Sequence, residues 1–176
     1  MNLPDKIVAL HKALHIADLP HAFGGALALA WCTHRARGTI DIDINVFVDV
    51  DQCKAVFAAL PERLAHTAKS RRTLREEGQV RLWWEKTPVD VFLNTTDFHL
   101  AAARRIRWET FMGESIPFLS CNDLAIFKAF FNRSQDWADL EAMHAAGTLN
   151  VEKVSAVLMN YLGGDDERLD KLRSLV

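Results

Sequence analysis

At 176 residues the chain has room for one domain, or for a catalytic core with a helical appendage. Apolar residues at 49% and charged residues at 25% exclude a disordered or collagen-like polymer. A formal charge of -2 supplies no global attraction to nucleic acid, so a polyanionic partner would need a local basic patch.

In chain order, Leu3, Ile7, Leu10, Leu14 and Ile16 fall at mostly helical spacing behind Pro4, which predicts a helix over 2–16 that Pro20 stops. His21-Ala22-Phe23 reads as a short strand entering the Gly24-Gly25 turn. Ala- and Leu-rich residues 26–34 read as a buried helix, and 40–48 as a strand with Ile40, Ile42 and Ile44 on its buried face. A helix is expected over 51–66, kinked or divided at Pro61, and then a polar loop or exposed helix end over 69–78. Residues 80–84 and 89–93 pair as a hairpin through Glu85-Lys86-Thr87-Pro88, with one ring of Trp83-Trp84 on each strand face. A helix at 98–105 and an apolar segment at 116–119 follow. From a cap at Ser120 or Asn122 onward the pattern is helical, broken near Gly147 and at Gly163-Gly164. The expected organisation is an α/β (α+β) core over 1–118 and a C-terminal helical region over 119–176, packed as one unit.

Cys32, Cys53 and Cys121 are far apart, odd in number and without metal-ligand spacing, so reduced buried thiols in a cytoplasmic protein are expected. No secretory leader is apparent, and the apolar run at 26–32 falls far short of the ~20 residues that span a bilayer. None of the seven histidines has metal-ligand spacing, and no Ser/His/Asp hydrolase arrangement is visible.

The chemistry lies in Phe23-Gly24-Gly25 and, one helix-length later, Thr39-Ile40-Asp41-Ile42-Asp43-Ile44. Asp41 and Asp43, two residues apart on a strand, point the same way about 7 Å apart. Asp is depleted in strands, and two like charges side by side call for a cation between them, most simply a divalent metal. Paired glycines between strand and helix let backbone N–H groups approach a phosphate. Asp90, in Val89-Asp90-Val91, is available as a third carboxylate.

Gly24-Gly25 followed by Arg37-x-Thr39-x-Asp41-Ile42-Asp43 resembles the nucleotidyltransferase superfamily that includes DNA polymerase β and kanamycin nucleotidyltransferase. Asp123-Leu124-Ala125-Ile126-Phe127-Lys128 with Arg133-x-x-Asp136-x-x-Asp139 is similar to the helical motif of its AbiEii-like, toxin-related branch, although Gln135 stands where that motif often has a basic residue. The resemblance implies a mixed sheet flanked by helices and two Mg²⁺ ions held by Asp41, Asp43 and Asp90. It also implies NTP contacts from Gly24, Gly25, Arg37, Thr39, Lys128, Arg133, Asp136 and Asp139. The implied reaction moves NMP from an NTP to an acceptor hydroxyl, on tRNA or on a small molecule such as an aminoglycoside or lincosamide. A cognate antitoxin is the further partner that branch implies, and a non-catalytic nucleotide-binding protein is the alternative from another class. The basic runs 69–75 and 104–107 are where an RNA's phosphates would be met.

Overall fold

A computed structural model describes residues 1–36 and 38–175. Asn2 opens α1 (Leu3–Ile16) with a reciprocal cap, its side chain accepting from the Asp5 N–H while the Asp5 carboxylate takes the Asn2 amide. Ile7, Leu10 and Leu14 are its buried stripe. There follow β1 (His21–Phe23), α2 (Gly25–Thr33), β2 (Ile42–Asp49), a 3-10 turn, α3 (Cys53–Ala59), α4 (Ala68–Glu77), β3 (Gln79–Trp84), β4 (Thr87–Asn94), α5 (Asp97–Ala103), β5 (Arg107–Phe111) and β6 (Glu114–Phe118). The remainder is helical: α6 (Cys121–Phe131), α7 (Ser134–Ala145), α8 (Val151–Leu162) and α9 (Glu167–Arg173).

Among the described residues the strands form one mixed sheet in the order β3-β4-β2-β1-β6-β5. β2 runs parallel to β4 and β1 parallel to β6, and the other pairs are antiparallel. The expected mixed α/β sheet flanked by helices is the fold observed. Ile42, Ile44, Val46, Val89, Val91 and Leu93 are buried side by side in the centre of the sheet, which fixes the register of the two strands that carry the acids.

The chain divides into two compact units, Met1–Leu27 with Gly38–Leu119 and Ala28–Arg37 with Ser120–Val176. The first contains the whole sheet. In the second, Ser120 caps α6 as expected, its hydroxyl accepting from the Asp123 N–H. α6 packs against α7 and α8 over Leu124, Ala125, Ala129, Leu140, Met143, Val154 and Leu158.

Several expectations are corrected. The strand begins at Ile42 rather than at residue 40, and Ile40 is 71% exposed. The helix expected to 66 ends at Ala59, because Leu60 must be extended ahead of Pro61. Residues 69–75 lie inside α4, nucleated by a reciprocal Thr67–Ser70 cap. The segment at 116–119 falls largely in β6 and pairs with β5, an unexpected strand, across a turn at Met112 and Gly113, both with positive φ. Two of the three cysteines are not reduced thiols: Cys32 and Cys121 form a disulfide within the second unit, and Cys53 is free and buried. Among the described residues no helix is long and apolar enough to cross a membrane.

Candidate active site

The β2–β4 register pairs Ile42 with Val89, Asp43 with Asp90 and Ile44 with Val91. Directly opposed residues of neighbouring strands share a face, so the Asp43 and Asp90 carboxylates stand together while the four aliphatic residues fill the other side. Asp41 lies one residue before β2. Its N–H donates to Thr39 Oγ1 at 3.2 Å, and that hydroxyl approaches the Asp41 carbonyl at 3.3 Å. Thr39 therefore orients the backbone of the first acid. The three acids singled out in the sequence meet at one place on the first unit.

A fourth group meets them there. Arg81 of β3 is the register partner of Asp90 and grips it with both arms of its fork, Nε to Oδ1 at 2.8 Å and Nη2 to Oδ2 at 2.6 Å. The same Nη2 stands 3.7 Å from Asp41 Oδ2. The hydrogen bond to Asp90, together with the charges of Asp90, Asp41 and Asp43, holds this guanidinium's pKa above the usual arginine value against the opposing cost of burial. Sequence reasoning missed Arg81 because it made the hairpin loop four residues long. The true connection is Glu85-Lys86, with Trp84 paired to Thr87, and counting back from that turn puts residue 81 opposite 90.

The glycine pair has two distinct jobs. Gly24 donates its N–H to the Asp43 carbonyl at 2.9 Å, so that amide is committed to joining the turn to β2. Gly25 has φ +51°, and a Cβ there would overlap the Asp43 carboxylate. The glycine thus lets the N-terminus of α2 lie against the second acid. Amides in the first turn of a helix lack intrahelical acceptors, which leaves this end suited to an anion.

Three carboxylates on one face suit a hard divalent cation, and the guanidinium among them marks the place as one where positive charge is stable. As the side chains stand, no three His, Cys, Asp or Glu groups among the described residues converge on one ion position. Asp90 directs both oxygens at Arg81 instead.

The second unit holds the other predicted cluster. Lys128 is buried, with Nζ 2.6 Å from Asp139 Oδ2 and 3.5 Å from Asp136 Oδ1. Arg133 binds the other side of Asp136 through Nε at 2.7 Å and Nη2 at 3.1 Å, and Gln135 donates to Asp139 Oδ1 at 3.0 Å. The anion that buried Lys128 requires is therefore supplied inside this unit. The Arg133 side chain remains 69% exposed while holding Asp136. Arg37, also expected at the site, lies outside the described residues.

No family model matches the chain, and no curated protein matches it. Its fold is similar to that of solved structures. One is ANT(2'')-Ia in complex with adenylyl-2''-tobramycin, at 14% identity and a TM-score of 0.58 over 98% of this chain and 95% of that one. A solution structure of the same antibiotic-resistance factor aligns at 13% identity and a TM-score of 0.56, over 97% and 89% of the two chains. An antigenic nucleotidyltransferase-like protein from Paracoccidioides brasiliensis aligns at 13% identity and a TM-score of 0.53, over 97% and 92%. The sheet that brings Asp41, Asp43 and Asp90 together is thus a nucleotidyltransferase-type fold.

Proposed function

We propose that the chain is a metal-dependent nucleotidyltransferase that moves NMP from an NTP to an acceptor hydroxyl and releases pyrophosphate. The observation that carries this reading is the register pairing of Asp43 with Asp90, with Gly25 against the Asp43 carboxylate and Asp41 Oδ2 3.7 Å from the guanidinium that holds Asp90. Asp41, Asp43 and Asp90 would hold Mg²⁺, two ions in the resemblance. When bound, the ions would supply charge neutralisation at the α-phosphate and at the attacking and leaving oxygens.

The chain's own groups would do the rest. Asp90 would also accept the proton of the acceptor hydroxyl as that oxygen attacks phosphorus. The Gly25 end of α2 would receive phosphate oxygens on backbone N–H groups, and Thr39 would keep Asp41 turned toward the metal. The resemblance also gives Arg37, Lys128, Arg133, Asp136 and Asp139 a place at the nucleotide. Of the four on α6, α7 and the turn between them, Arg133 keeps a largely exposed side chain while it holds Asp136, and Lys128 supports Asp136 and Asp139.

Two observations bear on the acceptor. Lys69, Arg71, Arg72 and Arg75 are all exposed on α4, which packs against β3, and a basic helix in the first unit suits an RNA such as tRNA. A likeness over nearly the whole of both chains to a protein solved with adenylyl-2''-tobramycin supports a small cationic acceptor as the second reading. An antitoxin partner belongs to the first of these.

The test is incubation with each α-labelled NTP and Mg²⁺, with total tRNA in one arm and tobramycin in the other. Label transferred to either acceptor, abolished in Asp43→Asn, supports the proposal and selects the acceptor. Nucleotide binding with no transfer to any RNA, small molecule or protein would leave the non-catalytic alternative standing.

A further inference from the structure

We infer that Arg81 is a resident placeholder cation on Asp90, and that a divalent ion must displace it before the three carboxylates can hold that ion together. The inference deepens the proposed function and rests on it for the identity of the incoming ion.

The pairing is built into the backbone. Arg81 and Asp90 are opposed in the β3–β4 register, so the guanidinium is delivered to the carboxylate by the hairpin itself. It takes both Asp90 oxygens and approaches Asp41, and thereby cancels one of three negative charges on the face where a metal would sit. Yet the Arg81 side chain is 52% exposed. It can swing into solvent on its flexible stem without opening the core, and an ion pair so exposed is weak enough to be exchanged. A fully buried arginine could not leave, and one without a partner would not compete.

Two consequences follow from electrostatics. A free divalent ion meets a face already part-neutralised and must release Arg81, so it binds less tightly than three bare carboxylates would allow. A metal arriving with a triphosphate gives the displaced guanidinium a new anion to face. Metal and nucleotide should therefore bind cooperatively, each raising the other's affinity by the same factor.

The measurement is Mn²⁺ binding followed by electron paramagnetic resonance, with and without a non-hydrolysable NTP analogue, on folded protein checked by circular dichroism. Removing the charge in Arg81→Ala should tighten free Mn²⁺ binding about ten-fold, the effect of a unit charge some 5 Å from a divalent ion in near-aqueous surroundings. Arg81→Gln should behave likewise, whereas Arg81→Lys, which keeps the charge, should stay near wild type. With the analogue present, wild type and Arg81→Ala should converge. If Asp43→Asn weakens Mn²⁺ binding while Arg81→Ala leaves it unchanged or weaker, the metal site stands and the placeholder role is overturned. If wild type binds no Mn²⁺, or Asp43→Asn has no effect, both this inference and the functional reading fall.

Discussion

Gly25 and Asp43 touch so closely that no side chain fits between them: a Cβ on residue 25 would lie inside the Asp43 carboxylate, and the backbone there has φ +51°. Gly25→Ala therefore carries two penalties. The left-handed conformation costs a non-glycine residue about 1–2 kcal/mol, and the acid must move aside. A displacement near 1 Å at a reacting centre lowers turnover by roughly 100-fold. The expected result is a folded protein, modestly destabilised in urea, with nucleotidyl transfer reduced about that much. Gly24→Ala is the control, since its Cβ would press on Leu119 and the Asn45 side-chain amide at 3.2 and 3.3 Å and stand at an ordinary 3.9 Å from Asp43 Cβ, clear of the carboxylate. Equal loss in both variants would show that the Gly25–Asp43 contact has no special role.

Lys128 makes the opposite case, in which a charged residue is needed for stability. Lys128→Met keeps an apolar stem of similar length but leaves Asp136 and Asp139, 1% and 3% exposed, without their shared cation. Removing one partner from a buried ion cluster costs about 3–5 kcal/mol, and Arg133 on Asp136 holds the loss near the lower figure. A urea-denaturation midpoint should fall accordingly. An unchanged midpoint combined with a raised KM for NTP would instead make Lys128 a nucleotide contact.

The legible parts of the sequence were those with strong local signals. Short apolar runs over 80–84 and 89–93 on either side of a turn marked β3 and β4, and the isoleucines at 42 and 44 marked β2. What stayed hidden depended on register or on long-range pairing. A hairpin loop misjudged by two residues moved Arg81 away from Asp90 and concealed the cation that grips it. β5 was missed because its turn is Met112-Gly113, where only the glycine is an ordinary occupant of positive φ. The Cys32–Cys121 bond joins residues 89 apart, a pairing that three scattered cysteines cannot announce.

A pair of buried imidazoles sets an acid limit on the first unit. The Leu19 carbonyl can only accept, so His21 carries its proton on Nδ1, 2.7 Å away, and its Nε2 accepts from His11 Nδ1 at 3.0 Å. Burial, foremost among the causes, lowers both pKa values from the usual 6.5, that of His21 to about 4. The unfolded chain thus takes up protons before the native one does. The stabilisation is fully present above pH 6.5, shrinks as pH falls from there, and is gone below about 4, worth roughly 3 kcal/mol from His21. Chemical denaturation should show stability dropping by about 2 kcal/mol between pH 6.5 and 5. His21→Gln should flatten that slope; a slope unaltered by the substitution would assign it to carboxylates elsewhere.

The disulfide should be a principal tie of the second unit. Cys32 lies near the end of α2 and Cys121 opens α6, while the Thr148 hydroxyl donates to the Cys32 carbonyl at 2.9 Å, so three distant stretches of chain meet at this bond. Closing a loop of 89 residues removes unfolded-state entropy equivalent to about 4.6 kcal/mol in the chain-entropy model, and measured bonds usually give about 2–4. Reduction, or the double substitution Cys32→Ser with Cys121→Ser, should lower the denaturation midpoint by an amount in that range. Thiol titration of the unfolded, unreduced protein should count one reactive group, Cys53, and three after reduction. Three thiols before reduction would mean that the bond does not form in solution, and the second unit's stability would then have to come from its helix packing and the Lys128 cluster alone.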